Sequence, residues 1–182
     1  IIFRNNAKKN DDIYVSGNLG DSHAGLKILK KDILLSKHLS KYFVRKYYLP
    51  ELHLDLTKKL HNFVNTSIDI SDGLFADLEK LINKQKLSYK IHLADVPISK
   101  KLKDMLLQKK LKKIDFISRG DDYQILFTAS KKKARIIKRT FKSLGIKVSK
   151  IGKIYSSNQK SQIIDEKGNK TNIKNKGYLH KF

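Results

Sequence analysis

The stretch from residue 67 to residue 81, SIDISDGLFADLEKL, places two aspartates around a serine. Asp69 ends a strand-like segment, and Asp72 opens a segment with helical periodicity. Carboxylates that meet at such a junction can hold a hard cation such as Mg²⁺, which prefers oxygen ligands. The same residues are also typical of a helix start. These residues alone leave both interpretations open.

The two interpretations give the same side chains different roles. At a helix start, Ser71 is the N-cap and Asp72 complements the helix dipole, which together contribute about 1–2 kcal/mol. At a ligand site, Ser71 donates to a phosphate at the helix N-terminus, where unpaired amides favour anions. Gly73 then lets the ligand approach the backbone closely. The interpretations are compatible, because a capping residue can also contact a ligand.

Two further segments contain candidate residues. In RGDDYQILFT, Gly120 is followed by Asp121 and Asp122 just before a strong strand pattern. An Asx-type turn explains such acids as well as a functional role does. The segment 17–26, GNLGDSHAGL, has glycines that would suit a phosphate loop. It matches neither the P-loop nor the dinucleotide fingerprint, so its spacing is a weak signal.

Strand and helix patterns alternate around these segments. Helices are predicted over 20–35, 39–48, 51–63, 72–84, 100–109 and 131–145. Strands are predicted over 12–17, 66–70, 89–97, 121–129, 147–155 and 161–173. This interleaving predicts an α+β protein built as a mixed α/β sandwich.

A break at Pro50 suggests two parts within the chain. We expect residues 1–49 to contain the last strand and helices of an incomplete N-terminal domain, and residues 50–182 to form a C-terminal α+β domain. The chain opens on Ile1 without an initiating methionine, so we also expect a longer protein that begins upstream.

The composition restricts the class of protein. The 40 lysines and arginines against 17 acids give a formal net charge of +23, which could attract nucleic acid. Almost all of this charge is lysine spread along the chain, whereas base and phosphate recognition favours arginine forks. There is no cysteine, which excludes disulfides and thiolate metal sites. No apolar run reaches the roughly 20 residues of a membrane span, so a cytoplasmic protein is expected.

Taken together, the motifs resemble those of the thiamine-monophosphate kinase family, which is related to aminoimidazole ribonucleotide synthetase and selenophosphate synthetase. IDISDGLFADL is similar to the family's metal-binding signature, and RGDDYQILFT to its acidic GDDYELLFT strand. RNNAKKNDDIYVSGNLGDSHAGL resembles an arginine-led stretch with a glycine-rich turn, and GYLHKF resembles the family's aromatic end. The chain resembles the C-terminal half or more of a full-length member. The resemblance implies a mixed α/β sandwich of the aminoimidazole ribonucleotide synthetase C-terminal type.

The resemblance implies ATP-dependent phosphorylation of thiamine monophosphate to thiamine diphosphate, with Mg²⁺ required and a homodimer formed by the full-length protein. It implies the following roles: Asp69 and Asp72 bind Mg²⁺, Arg4 and Ser71 contact ATP, and Asp121 and Tyr178 contact the thiamine phosphate. No side chain is implied as a covalent catalyst, because phosphoryl transfer depends mainly on positioning and charge neutralisation.

Departures from the family pattern keep alternatives open. His53 stands where arginine is expected, and Gln124 stands where glutamate is usual. Further magnesium-binding aspartates belong to the family's N-terminal half, so we expect the chain alone to be inactive. The alternatives are a related ATP-dependent enzyme with another substrate, a non-catalytic remnant, or a basic nucleic-acid-binding module. The last is disfavoured because aromatic residues do not alternate with the basic ones.

Overall fold

The structure, a computed structural model, describes residues 5–82 and 85–173. The strands in this part are β1 (Asp12–Ser16), β2 (Thr66–Asp69), β3 (Leu87–His92), β4 (Ile125–Ala129), β5 (Val148–Ser156), β6 (Gln162–Ile164) and β7 (Lys170–Thr171). The α-helices are α1 (Asp21–Leu29), α2 (Lys37–Tyr48), α3 (Leu54–Leu60), α4 (Leu74–Leu81), α5 (Lys100–Gln108), α6 (Lys113–Ile117) and α7 (Ala134–Ser143). Short 3₁₀ turns cover Leu93–Asp95 and Lys131–Lys133.

The strands of the described residues form one mixed sheet in the order β2-β4-β1-β5-β3-β6-β7. Neighbouring strands are antiparallel except for β3 and β6, which pair in parallel. β2 lies at one edge beside β4, so the acidic segment that ends β2 adjoins the one that precedes β4. The predicted α+β class is confirmed.

The two faces of the sheet bury different sets of side chains, as strand alternation requires. On β4, Leu126 belongs to the core cluster that contains the apolar residues of α4. Ile125 and Phe127 belong to the opposite cluster, which contains the apolar residues of α3 and α7. Helices therefore cover both faces at the β2-β4-β1 end, which makes the sandwich.

A third cluster lies among the helices α1, α2, α5 and α6 and includes Phe43 and Phe116. It fixes the N-terminus of α1 close to the segment that precedes β4, because α6 runs directly into that segment. The helical unit therefore helps to position the acids at 121 and 122.

Several predicted elements differ from the observed ones at their ends. The helix predicted over 72–84 begins only at Leu74, because Gly73 has φ 120° and ψ 153°. The helix predicted over 51–63 spans only Leu54–Leu60, and it buries Leu56 and Leu60, whereas Leu52 before it is exposed. The described part of the chain has no helix with the length and apolar composition of a membrane span.

The division near residue 49 stays a prediction. β1, which precedes that point, lies between β4 and β5, which follow it. Ile13 and Val15 of β1 share a core cluster with Leu126. Residues on both sides of position 49 therefore contribute to a single sheet and core.

Phe127 provides a test of this packing. Its ring centroid lies 5.2 Å from that of Tyr14, 6.0 Å from Phe63 and 5.8 Å from Phe141. Phe127→Ala should lower the free energy of unfolding by about 3–5 kcal/mol, because the cavity cannot collapse between rigid rings. Leu34→Ala is the control and should change it by less than about 0.5 kcal/mol, since Leu34 is 75% exposed. Urea denaturation measures both, and equal effects would contradict the assigned core.

Candidate functional site

The two acidic segments meet at the edge of the sheet. Asp69 at the end of β2 pairs with Ile125 at the start of β4. The pairing continues into the loops: Ile70 N donates to Gln124 O at 2.8 Å, and Tyr123 N donates to Ile70 O at 2.9 Å. Asp121 N donates to Ser71 O at 3.1 Å. The loop at 70–73 and the loop at 118–124 are therefore joined by backbone hydrogen bonds.

Glycines allow these loops to touch through their backbones. A Cβ atom at Gly120 would lie 1.7 Å from Ser71 O. A Cβ atom at Gly73 would lie 2.3 Å from Ser118 O. Each loop therefore needs a glycine at the position where the other loop crosses it. Position 73 also favours glycine because its φ is positive. The glycine in each motif serves the contact between the loops.

The side chain of Asp77 binds the backbone of the loop at 70–73. Its Oδ2 accepts hydrogen bonds from the backbone N–H groups of Ser71, Asp72 and Gly73 at 2.9, 2.9 and 3.1 Å. The side chain is completely buried. Consecutive amides that converge on one anion form a nest. In this chain the anion is the protein's own carboxylate.

This arrangement corrects the helix-start interpretation. Gly73, not Ser71, is the N-cap, and Asp72 lies before the helix and not in its first turn. The amides of residues 71–73 already have an anionic partner, so they are not the unpaired amides expected to attract a phosphate. Sequence reasoning missed Asp77. An acid in the first turn after a glycine is the signal that could have indicated it.

Lys80 lies beside the same acids and was also missed. Its ammonium forms an ion pair with Asp72 Oδ2 and a second, at 2.9 Å, with Asp77 Oδ1. Burial lowers the pKa of Lys80, but hydrogen bonds to Asp72 and Asp77 outweigh this effect and raise it. The spacing of Asp77 and Lys80, three residues apart on a helix, places them as neighbours and could have indicated the pair.

Asp121 is the second acid near Asp72. Its φ of 69° is left-handed, which is uncommon outside glycine. Burial and the negative charge of Asp72 both raise its pKa. The structure therefore brings two predicted residues, Asp72 and Asp121, within electrostatic reach of one another. Asp69 lies exposed at the end of β2.

Asp122 turns in another direction from Asp121. Its carboxylate accepts hydrogen bonds from Gly20 N at 2.7 Å and from Ser22 N at 3.3 Å, so it caps α1. Burial raises the pKa of Asp122 to about 7. The residues on either side, Asp121 and Tyr123, both have positive φ and reverse the chain there. The glycine-rich turn at 17–26 therefore binds a side chain of the acidic segment through these amides.

The two departures from the family pattern are in contact. His53 Nε2 lies 3.0 Å from Gln124 Oε1. The same oxygen accepts a hydrogen bond from Ser16 Oγ at 2.8 Å. Ser16 Oγ in turn accepts from Ile125 N at 2.8 Å. The neutral amide is therefore fixed by a histidine and a serine.

The carboxylate of Asp72 suits a divalent ion, and the nearby charge of Asp121 adds to the attraction. Within residues 5–82 and 85–173 no group of three or more acidic or histidine side chains could hold a metal. Mg²⁺ does not require such a group, because it is commonly held by one or two carboxylates together with water and phosphate oxygens. The ammonium of Lys80 on Asp72 stands where a cation would be expected. Arg4 and Tyr178 lie outside the described residues.

Comparison with known protein families identifies the family of this chain. Residues 8–165 match the family described as AIR synthase related protein, C-terminal domain. The chain belongs to this family. The resemblance drawn from the motifs to thiamine-monophosphate kinases is confirmed.

The curated relatives carry that name. The thiamine-monophosphate kinase of Buchnera aphidicola subsp. Schizaphis graminum is 36% identical over 185 residues, covering 98% of this chain and 55% of the relative. That of Escherichia coli K12 is 28% identical over 178 residues, covering 97% of this chain and 54% of the relative. The chain thus spans about half the length of the curated relatives it matches.

Solved structures agree. AaThiL complexed with AMPPCP and TMP superposes with a TM-score of 0.77 at 26% identity, covering 98% of this chain and 54% of that one. Thiamine-monophosphate kinase from Stenotrophomonas maltophilia gives a TM-score of 0.78 at 24% identity, covering 91% and 52%. The second match establishes the shared fold alone.

Gly120→Ala tests the contact between the loops. It should lower the free energy of unfolding by about 3 kcal/mol, because a backbone carbonyl occupies the position of the new methyl group. Gly145→Ala is the matched control: Gly145 has φ +65° but no atom within 4 Å of a built Cβ. Its cost should be about 1 kcal/mol, from backbone strain alone. Urea denaturation compares them, and equal losses would contradict the close crossing at Gly120.

The burial of Asp122 predicts a pH dependence. Its folded pKa of about 7 exceeds the ordinary value of 3.8, so protonation favours the folded state. This contribution is complete below the unfolded pKa and is lost as pH rises through the folded pKa. Between about pH 5 and pH 8, stability should fall by about 2–3 kcal/mol more in the wild type than in Asp122→Asn.

Urea denaturation across that pH range measures the difference between the two proteins. Asp104→Asn, a change at an exposed aspartate of α5, serves as the control and should keep the wild-type pH dependence. A wild-type and Asp122→Asn difference that is constant with pH would show that Asp122 is ionised throughout the range.

Proposed function

We propose that the chain forms the C-terminal part of an enzyme that transfers the terminal phosphoryl group of ATP to thiamine monophosphate, giving thiamine diphosphate. The observation that carries the proposal is the pair of loops that brings Asp72 and Asp121 together. The support from relatives is the set of thiamine-monophosphate kinases that match 97–98% of the chain, and the AaThiL complex with AMPPCP and TMP. Since the chain spans about half of these relatives, the activity is proposed for the whole protein.

The acids of the site fit a transfer between two polyanions. Asp69 and Asp72 would hold Mg²⁺, which supplies charge neutralisation of the phosphates when bound. Asp77 keeps the 70–73 loop in one conformation through its three amide hydrogen bonds, so the carboxylate of Asp72 is held in position. A phosphate oxygen of the acceptor is itself the nucleophile, so the chain needs no covalent catalytic residue.

Other roles follow from the same proposal. Ser71 and Arg4 would contact ATP, and Asp121 and Tyr178 would contact the thiamine phosphate. Asp121 lies on the loop opposite Asp72, which suits an acceptor bound on one loop and a nucleotide on the other. A homodimer of the whole protein and a location in the cytoplasm stay predictions.

A chimera tests the function. This chain would replace the matching 55% of the Buchnera aphidicola relative and would be joined to that relative's remaining residues. We expect the chimera to form thiamine diphosphate from thiamine monophosphate, ATP and Mg²⁺, measured by chromatography. The isolated chain should be inactive. Asp72→Asn in the chimera should lower kcat/KM by at least about 100-fold, or about 2.7 kcal/mol, by removing a metal ligand.

Asp55→Asn is the control for the loss of one acid. Asp55 is 77% exposed and pairs with Lys58 on α3. This variant should retain the chimera's kcat/KM. A folded Asp72→Asn chimera with unchanged turnover would contradict the metal assignment, and turnover of other phosphate acceptors in preference to thiamine monophosphate would contradict the substrate.

A further inference from the structure

Lys80 connects two acids that differ in what surrounds them. Its ammonium pairs with Asp72 Oδ2 and with Asp77 Oδ1. Asp77 is completely buried, and its other oxygen is engaged by three amides. Asp72 remains 17% exposed and faces the charge of Asp121. Of the two carboxylates, therefore, Asp72 is the one that a solvent cation can reach.

The lysine itself is free to change its position. Its side chain is 46% exposed, and it belongs to the last turn of α4. Asp77 lies three residues before it on the same helix, so the ammonium keeps one partner if it leaves the other. Only torsions of a flexible side chain need to change for Lys80 to release Asp72.

We propose that Lys80 is an internal counter-ion that competes with a divalent cation for Asp72, and that metal binding displaces its ammonium from Asp72 onto Asp77 alone. The inference rests on the proposed function, which makes Asp72 a metal ligand. A divalent ion and an ammonium on one carboxylate repel each other strongly at such short range. The lysine therefore lowers the affinity of the site for metal.

The same ion pair gives the site an advantage before metal binds. Asp72 and Asp121 are like charges held close by the crossing of two loops, and their repulsion opposes that crossing. Lys80 offsets part of this repulsion. The ion pair therefore lowers the metal affinity, but it also stabilises the loop at 70–73 before metal binds. A loop that is already ordered needs less reorganisation on binding.

The test measures Mn²⁺ binding to the 182-residue chain, using the electron paramagnetic resonance signal of unbound Mn²⁺. Lys80→Met should raise the affinity by about three- to tenfold, since it removes the competing charge. Lys80→Arg retains the charge and should bind about as the wild type does. Circular dichroism confirms folding, and Lys80→Gln replaces Lys80→Met if the latter does not fold.

Lys58→Met is the matched control. Lys58 also pairs with an aspartate three residues before it on a helix, at 3.1 Å. The substitution Lys58→Met removes the same charge as Lys80→Met. It therefore separates competition at Asp72 from the general effect of the protein's net charge of +23 on Mn²⁺ binding. We expect Lys58→Met to leave the Mn²⁺ affinity unchanged.

The outcomes distinguish this inference from the proposed function. An unchanged or lower affinity for Lys80→Met, or an equal gain for Lys58→Met, would overturn the competition. Asp72→Asn should abolish the binding. If Asp72→Asn binds Mn²⁺ as the wild type does, Asp72 is not a ligand and the metal site of the proposed function fails as well. Loss of binding in Asp72→Asn without a gain in Lys80→Met overturns the role of Lys80 alone.

Discussion

The site depends on the crossing of two loop backbones at the edge of the sheet. The carbonyl groups of Ser118 and Ser71 lie against Gly73 and Gly120, so neither position has room for a Cβ atom. Asp77 secures the crossing by binding three successive amides of one loop with a single buried oxygen. Hydrogen bonds to a charged group contribute about 1.5–3 kcal/mol each, which is enough to fix a short loop. The position of Asp72 follows from that loop.

The acidic side chains of the site stand out in a strongly basic chain. The chain carries a net charge of +23, yet Asp72 and Asp77 both pair with Lys80, and Asp121 lies near Asp72. Like charges in proximity oppose folding unless they have partners. Asp77 has its amides, and Asp72 has Lys80. The remaining tension between Asp72 and Asp121 is what a divalent cation would relieve, and phosphate groups would then complete its coordination.

Sequence patterns predicted the elements better than the directions of their side chains. The alternation of Ile68 and Asp69 and the helical spacing of Leu74, Leu78 and Leu81 are local properties, and they indicated the strand and the helix correctly. The direction of an aspartate in a turn depends on the backbone around it. Asp121 and Asp122 are adjacent in sequence, but two left-handed residues send one towards Asp72 and the other towards α1. The position of Asp77 in the first turn after a glycine is visible in the sequence, but the conformation of Gly73 that brings three amides to its carboxylate follows from the loop crossing. Contacts between distant segments, such as that of His53 with Gln124, also follow from tertiary structure alone.

The most direct measurement is a crystal structure of the chimera grown with Mn²⁺ and AMPPCP, with data collected at a wavelength where manganese scatters anomalously. The account predicts an anomalous peak in contact with the carboxylate of Asp72, phosphate oxygens on the same ion, and Asp77 still bound to the amides of residues 71–73. A manganese ion bound elsewhere while Asp72 remains paired with Lys80 would contradict it.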